Sequence, residues 1–307
     1  MPRPLKIGVQ LPEVEYTYTW PQLVKMAQTA EAIGLDSIWL GDHLMYRYDK
    51  VDREPRGPFE AWTTLAALAA VTARVELGPL VASTGFHSPA MIAKKAATLD
   101  QISNGRFILG LGSGWHEPEY KGFGFRYDHR VDRFAEAFPI IESLLETGEA
   151  DFRGDFFNIE RGLLFPKPVR PGGIPVMVGS NRPRMLSIAL PYASIWNSWF
   201  DGYGNSAAGL PDLLATIDTA CVAAGKDPAT LLRSICPLVR MSGGSGRISE
   251  YTALDAVKPL DGTNPASLAA ELRTYADLGI GHVMLVLDPI TADTIEELVP
   301  MLALLDA

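Results

Sequence analysis

Hydrophobic positions along this chain switch repeatedly between two spacings. Ile7-Gly8-Val9-Gln10-Leu11 is an apolar run of strand length, and Leu23, Met26, Ala27, Ala30 and Ile33 then recur at helical spacing. Thr19 and Pro21 supply that helix with a start, and Gly34 with a stop. Ser37-Ile38-Trp39-Leu40 reads as a second strand and ends in Gly41-Asp42-His43. A helix through Trp62, Leu65, Leu68 and Val71 leads into Val75 to Ala82, where Pro79 predicts an edge, a bulge or an irregular strand, because proline gives no N–H to a ladder. Ser88-Pro89 opens a helix with Ile92, Ala96, Leu99 and Ile102 on one face, and Gly105 closes it.

The fourth strand is Phe107 to Gly112, which opens into Ser113-Gly114-Trp115-His116-Glu117. Glycines at 110, 112 and 114 remove Cβ atoms where something bulky and flat could approach the backbone. A loop follows Tyr120, and then a long amphipathic helix with Phe134, Phe138, Ile141 and Leu145 at a 3.6 period. Ala150 to Ile159, broken by Gly154-Asp155, predicts a β-hairpin. Further strands are expected at Ile174 to Val178, Ser194 to Trp199, Leu231 to Val239 and His282 to Asp288, with helices between them and a terminal helix through Ile295, Leu298 and Leu302. Eight strands alternating with helices predict an α/β fold, a (β/α)₈ TIM barrel, rather than a doubly wound sheet. Residues 1–307 read as a single domain with insertions at about 115–129, 150–172 and 240–262, the last Gly/Ser-rich and the expected mobile one.

Composition agrees with a globular enzyme: of 307 residues, 47% are hydrophobic and 21% charged, which excludes wholesale disorder. A net charge of -9 and the lack of any basic run argue against nucleic acid. No membrane span is expected, and the start runs into a strand without a secretory apolar segment, so a cytoplasmic protein is expected. Cys221 and Cys236 lack metal-ligand spacing and read as buried reduced thiols.

In such a barrel the chemistry belongs at strand carboxyl ends. Asp42 and His43 are an acid/base pair there, imidazole being suited to proton transfer near neutral pH. His116, Glu117 and Glu119 lack the helical spacing of a metal set, so no metal is expected. His87 falls near the mouth, and His129 and His282 read as structural. Gly179-Ser180-Asn181 before a Pro-initiated helix is either an anion cradle, helped by Arg182 and Arg184, or an ordinary strand-to-helix turn. Trp115 stands where a dinucleotide fingerprint needs its third glycine, and no helix is expected to begin there. Flat apolar strand ends with a separate anion site suit a flavin-like tricycle carrying a phosphate tail.

Three segments then resemble one family as a set: Ile38-Trp39-Leu40-Gly41-Asp42-His43, Val75-Glu76-Leu77-Gly78-Pro79-Leu80-Val81, and Asn104 to Trp115 with Glu119-Tyr120. They resemble the bacterial luciferase-like oxidoreductases, and the Asp-His pair is most similar to the branch that uses the deazaflavin coenzyme F420. The resemblance runs through essentially the whole chain and weakens after about residue 205. It implies a (β/α)₈ barrel, F420 or alternatively FMN as cofactor, a small-molecule substrate and a homodimer. Among residues it implies His43 as catalytic with Asp42 contacting or orienting the cofactor, and a non-prolyl cis peptide around Pro79 to Ala82 supporting the ring, with Leu80, Val81 and Ala82 as cofactor-binding residues. It also implies Ser113 and Gly114 along the cofactor chain, and Gly179, Ser180, Asn181 and Arg182 at its phosphate. Glu117 is a further catalytic candidate, and Trp115, His116, Trp196 and Trp199 are expected to face the substrate. Sugar-phosphate dehydrogenases of the superfamily carry a glutamate directly after the strand-four glycines, and here Trp115 stands in that place. The expected activity is therefore hydride exchange between F420 and a small organic molecule, with FMN-dependent monooxygenation or a non-catalytic flavin-binding role as alternatives.

Overall fold

The computed structural model describes residues 3–47, 54–244 and 257–307. Its elements run β1 (Lys6–Gln10), α1 (Trp20–Ala32), β2 (Ser37–Leu40), α2 (Ala61–Val71), β3 (Glu76–Pro79), β4 (Ala82–Ser83), α3 (Pro89–Ser103), β5 (Leu109–Gly112), α4 (Glu117–Phe123) and α5 (Arg130–Thr147). They continue with β6 (Glu149–Arg153), β7 (Asn158–Leu163), β8 (Val176–Gly179), α6 (Pro183–Ala189), β9 (Ile195–Trp199), α7 (Leu210–Ala223), β10 (Leu232–Cys236) and β11 (Leu238–Arg240). The last are β12 (Leu260–Asp261), α8 (Pro265–Asp277), β13 (His282–Asp288), α9 (Ala292–Glu296) and α10 (Val299–Asp306).

Nine strands follow one another in the order β3-β2-β1-β13-β10-β9-β8-β5-β4, all paired in parallel. The ring closes because β3 and β4 are two halves of one stave. Leu77 of β3 bridges Phe107, just ahead of β5, while Ala82 and Ser83 of β4 pair with Leu111 and Gly112. This is the irregular third strand that Pro79 predicts, and its break carries the cis peptide Leu80–Val81. The hairpin is β6 against β7, antiparallel and outside the barrel. Residues 245–256 of the expected insertion at 240–262 lie outside the described residues.

Inside the ring, Trp39 fills the axis next to two strand glycines. A Cβ on Gly8 would lie 3.0 Å from Trp39 Nε1, and one on Gly78 would lie 3.0 Å from the Trp39 ring. The indole N–H donates to Ser37 Oγ at 2.8 Å, and that hydroxyl meets His282 Nε2 at 2.7 Å. Burial lowers the His282 pKa to about 4, so this histidine is a neutral member of the core.

The glycines of β5 have a different occupant from the flat ligand the sequence suggests. A Cβ on Gly110 would lie 2.2 Å from Pro79 O and 2.9 Å from Val81 Cγ1, and one on Gly112 would lie 2.9 Å from Val81 Cγ2. Gly179 on β8 faces both Val81 methyls at 3.0 Å. Protein fills the space these residues leave, and what it admits is the displaced third stave.

Arg106 explains much of the Asn104-Gly105-Arg106 signature. Its guanidinium donates to Ala69 O at 2.8 Å, Thr72 O at 3.0 Å, Val75 O at 2.7 Å and Ser103 O at 2.8 Å. These are carbonyls from the ends of α2 and α3 and the start of the third stave, groups a helix end leaves without partners of its own. Asn104, at φ 54°, and Gly105, at φ 80°, provide the left-handed turn that brings Arg106 back under both helices.

Candidate active site

The carboxyl ends of β2, β4 and β5 meet at one polar cluster. His43 follows β2 and is held by a residue six elements further along the chain, Glu119 of α4. His43 Nδ1 lies 2.9 Å from Glu119 Oε2, and Glu119 Oε1 accepts the N–H groups of Leu44 and of Met45, the latter at 3.2 Å. Glu119 is 1% exposed, so the carboxylate is spent on three partners with little water to compete. Burial by itself pulls the His43 pKa down, but the hydrogen bond to Glu119 and the charges of Glu13, Glu119 and Asp42 outweigh it and leave the pKa raised. His43 is thereby disposed to carry a proton near neutral pH.

Asp42 lies under the same mouth. Its Oδ2 accepts Ser83 N–H at 2.8 Å, and burial raises its pKa to about 7. Ser83 in turn meets the Tyr120 hydroxyl at 2.8 Å, which donates to Ser113 O at 3.0 Å. One tyrosine thus ties the β4 end, the Ser113-Gly114 turn and α4 together.

Around His43 stands an aromatic group. Tyr46 lies 4.6 Å from it between ring centroids and stacks on His116 at 5.1 Å and 29°. Trp115 meets His43 edge-on at 5.6 Å and is half-exposed. Glu13, after β1, accepts from the side chain of Gln10 and from Tyr46 OH at 3.3 Å. It also lines a cleft of about 320 Å³ with Tyr16, Tyr18, Arg56 and Phe59.

The candidates from sequence are distributed unevenly. Asp42, His43, Ser113, Gly114, Trp115 and His116 converge with Ala82, whose neighbour Ser83 binds Asp42, while Leu80 and Val81 form the half-buried break of the third stave. Glu117 does not join them. A short helix begins right after His116, where none is expected, and it turns Glu117 outward to pair with Lys121 at 2.8 Å while Glu119, two positions on, points inward. Trp196 is fully buried, its Nε1–H donating to Ser180 O at 3.0 Å, so it supports the Gly179 to Arg182 turn from behind. Trp199 packs on Phe200 at 5.0 Å. In the turn, Asn181 Nδ2 donates to Ser198 Oγ at 2.9 Å and Arg182 N–H to Ser180 Oγ at 3.2 Å, and Arg184 is paired with Asp132. Asn181 Oδ1 and Thr84 Oγ1 are buried polar atoms at this end of the barrel with no hydrogen-bond partner among the described residues. Glu13 and Tyr46 are not among the sequence candidates. The signal for Glu13 was present, since it follows a strand's carboxyl end, whereas Tyr46 depends on a loop path that spacing does not reveal.

Among the described residues no helix is long and apolar enough to cross a membrane, and Cys221 and Cys236 are buried and form no disulfide. Residues 6–240 match the family model described as luciferase-like monooxygenase, and the chain belongs to that family. A pyrimidine monooxygenase RutA of Cronobacter sakazakii is 31% identical over 173 residues, 55% of this chain and 50% of that protein. An F420-dependent glucose-6-phosphate dehydrogenase of Amycolatopsis mediterranei is 33% identical over 174 residues, 54% of this chain and 50% of that protein. The matched stretch spans about half the length of these curated relatives. Among solved structures, an F420-dependent secondary alcohol dehydrogenase in complex with an F420-acetone adduct superposes with a TM-score of 0.81 at 18% identity, over 99% of both chains. The F420-dependent tetrahydromethanopterin reductase of Methanopyrus kandleri gives 0.73 at 17% identity over 96% of this chain and 97% of that one, a likeness of fold.

Proposed function

We propose that this protein is an oxidoreductase that uses coenzyme F420 to transfer hydride to or from a small organic substrate. The observation that carries the reading is the His43–Glu119 pair, an imidazole at a strand end 2.9 Å from a buried carboxyl group. When bound, the deazaflavin supplies a two-electron hydride donor or acceptor. The chain supplies the proton. His43 would give it to a substrate oxygen in the reducing direction and take it back in the reverse, and Glu119 stabilises the imidazole whenever it is charged. Trp115, His116 and Tyr46 exclude water around that proton, and the cleft beside Glu13 and Phe59 suits the body of a small substrate.

The residues fit such a cofactor in two places. Asp42, Leu80, Val81 and Ala82 would flank the ring. Ser113, Gly114 and the Gly179 to Arg182 turn would hold the tail, where Asn181 Oδ1 and Thr84 Oγ1 each still lack a partner. The relative named for F420 dependence supports the deazaflavin, and the one named as a pyrimidine monooxygenase supports the alternative, FMN-dependent monooxygenation. In the same reading the chain is one barrel domain over residues 1–307, cytoplasmic and homodimeric, with neither nucleic acid nor membrane as partner. Titration of the intrinsic tryptophan fluorescence with F420 and with FMN tests the proposal. Tighter quenching by F420 is expected, and a clear preference for FMN would overturn the reaction class.

A further inference from the structure

We infer that His87 and Lys95 form a relay behind Asp42, in which Lys95 fixes the tautomer of His87 and His87 positions a donor that governs the charge of the Asp42 carboxyl. The inference rests on the reading of Asp42 as the cofactor's neighbour, which it deepens by asking what sets that group's protonation. His87 lies between β4 and α3, and Lys95 two turns into α3. Lys95 Nζ is 3.0 Å from His87 Nδ1. An ammonium has only donors, so Nδ1 must be the acceptor and the imidazole proton must sit on Nε2. That Nε2 is buried without a hydrogen-bond partner among the described residues and lies 3.9 Å from Asp42 Oδ2.

A buried N–H without an acceptor is costly, and an ionised carboxylate beside it relieves that cost. The arrangement therefore favours the charged form of Asp42, opposing the burial that favours the neutral one. Trp62 keeps the relay in place, since its ring stands edge-on to His87 at 5.8 Å and has the Lys95 ammonium 5.3 Å above it. His87 itself stays neutral. Burial, helped by the Lys95 charge, lowers its pKa to about 4.

The groups that face Asp42 come from every neighbouring element. They are His43 on its own loop, Glu60 at the start of α2, His87, Lys95 on α3 and Tyr120 on α4. Of these, Glu60 disfavours the carboxylate, the Lys95–His87 arm and His43 favour it, and the Tyr120 phenol, whose own pKa is raised, stays neutral beside it. Ligand atoms of Asp42, Glu60 and His87 lie within 4.8 Å of one another, a spacing that could also surround a cation. Lys95 already brings positive charge to this cluster, and its hydrogen bond to His87 Nδ1 directs the Nε2 proton toward the centre where an ion would need a lone pair.

The relay is tested by following the Asp42 carboxyl carbon by ¹³C NMR from about pH 4 to about pH 9 in the cofactor-free protein. Lys95→Met is expected to move the midpoint upward by about one pH unit, roughly a tenfold change in acid constant, and Lys95→Arg to restore most of it. His87→Phe, which keeps a ring but no donor, is expected to move it in the same direction, and His87→Gln to move it less. Unchanged midpoints in both Lys95→Met and His87→Phe would overturn the relay. The titration needs no cofactor, so it stands apart from the F420 and FMN binding test, and either can fail without the other.

Discussion

Tyr120 occupies the space that Gly114 leaves. A Cβ on Gly114 would lie 2.0 Å from the Tyr120 oxygen and 2.5 Å from Ser83 Oγ, and Gly114 has a φ of 72°. Gly114→Ala therefore faces both a steric overlap and a left-handed backbone, and a loss of about 2–4 kcal/mol is expected in urea unfolding. Tyr120→Phe keeps the ring but strands Ser113 O and Ser83 Oγ, for an expected loss of about 1–2 kcal/mol.

His43→Ala is expected to lower kcat about 10²- to 10⁴-fold with cofactor affinity nearly unchanged, the range for losing a general acid/base. Glu119→Gln keeps an oxygen for Leu44 and Met45 N–H but withdraws the negative charge from His43. The pH limb of kcat that reports the imidazole should then move to lower pH, and steady-state kinetics across that limb would show an unmoved profile if Glu119 were only a loop anchor.

The raised pKa of Asp42 has a consequence for stability. Between its ordinary value of 3.8 and about 7, the folded protein keeps a proton that the unfolded chain has lost, so this group's contribution to stability falls as pH rises through that window. Asp42→Asn has no such proton to lose. Its stability relative to the natural protein should improve from about pH 4 to about pH 7 by on the order of 2–4 kcal/mol, read by urea denaturation at each pH.

Gly110→Ala and Gly112→Ala are expected to differ although they sit on one strand. The first meets the backbone oxygen of Pro79, the second only a methyl of Val81. Gly110→Ala should cost about 2–4 kcal/mol, whereas Gly112→Ala should cost less and be largely rescued by Val81→Ala, a coupling that a double-mutant cycle measures.

Arg106→Lys conserves charge but not the planar fork that reaches four carbonyls. A loss of about 2–3 kcal/mol is expected, with hydrogen exchange speeding first at the ends of α2 and α3. A change confined to the Arg106 surface would show the clamp to be incidental.

The barrel was legible because its signals are local. Apolar periodicity, Thr19-Pro21, Ser88-Pro89 and the left-handed Asn104-Gly105 mark elements one at a time, and eight repeats leave few topologies. Asp42 and His43 were legible too, since a polar pair at a strand's carboxyl end is visible in sequence. The partner of His43 was harder to place. About half a turn on α4 separates Glu117 from Glu119 and decides which of them faces inward, and that phase depends on where the helix starts. The purpose of the strand glycines was the least accessible, because Val81 is distant in sequence from Gly110, Gly112 and Gly179 and reaches them only through the irregular stave.

Glu119 grips the backbone of Leu44 and Met45 as well as the His43 ring, and the next residue, Tyr46, pairs with Arg56 across the loop that walls the cleft. In the proposed reading, where His43 is the proton donor and the cleft takes the substrate, selectivity and acid strength are inherited through one carboxylate. Remodelling the loop before α2 for a new substrate would then be free only beyond Tyr46, since a change nearer the strand would retune the imidazole along with the cleft.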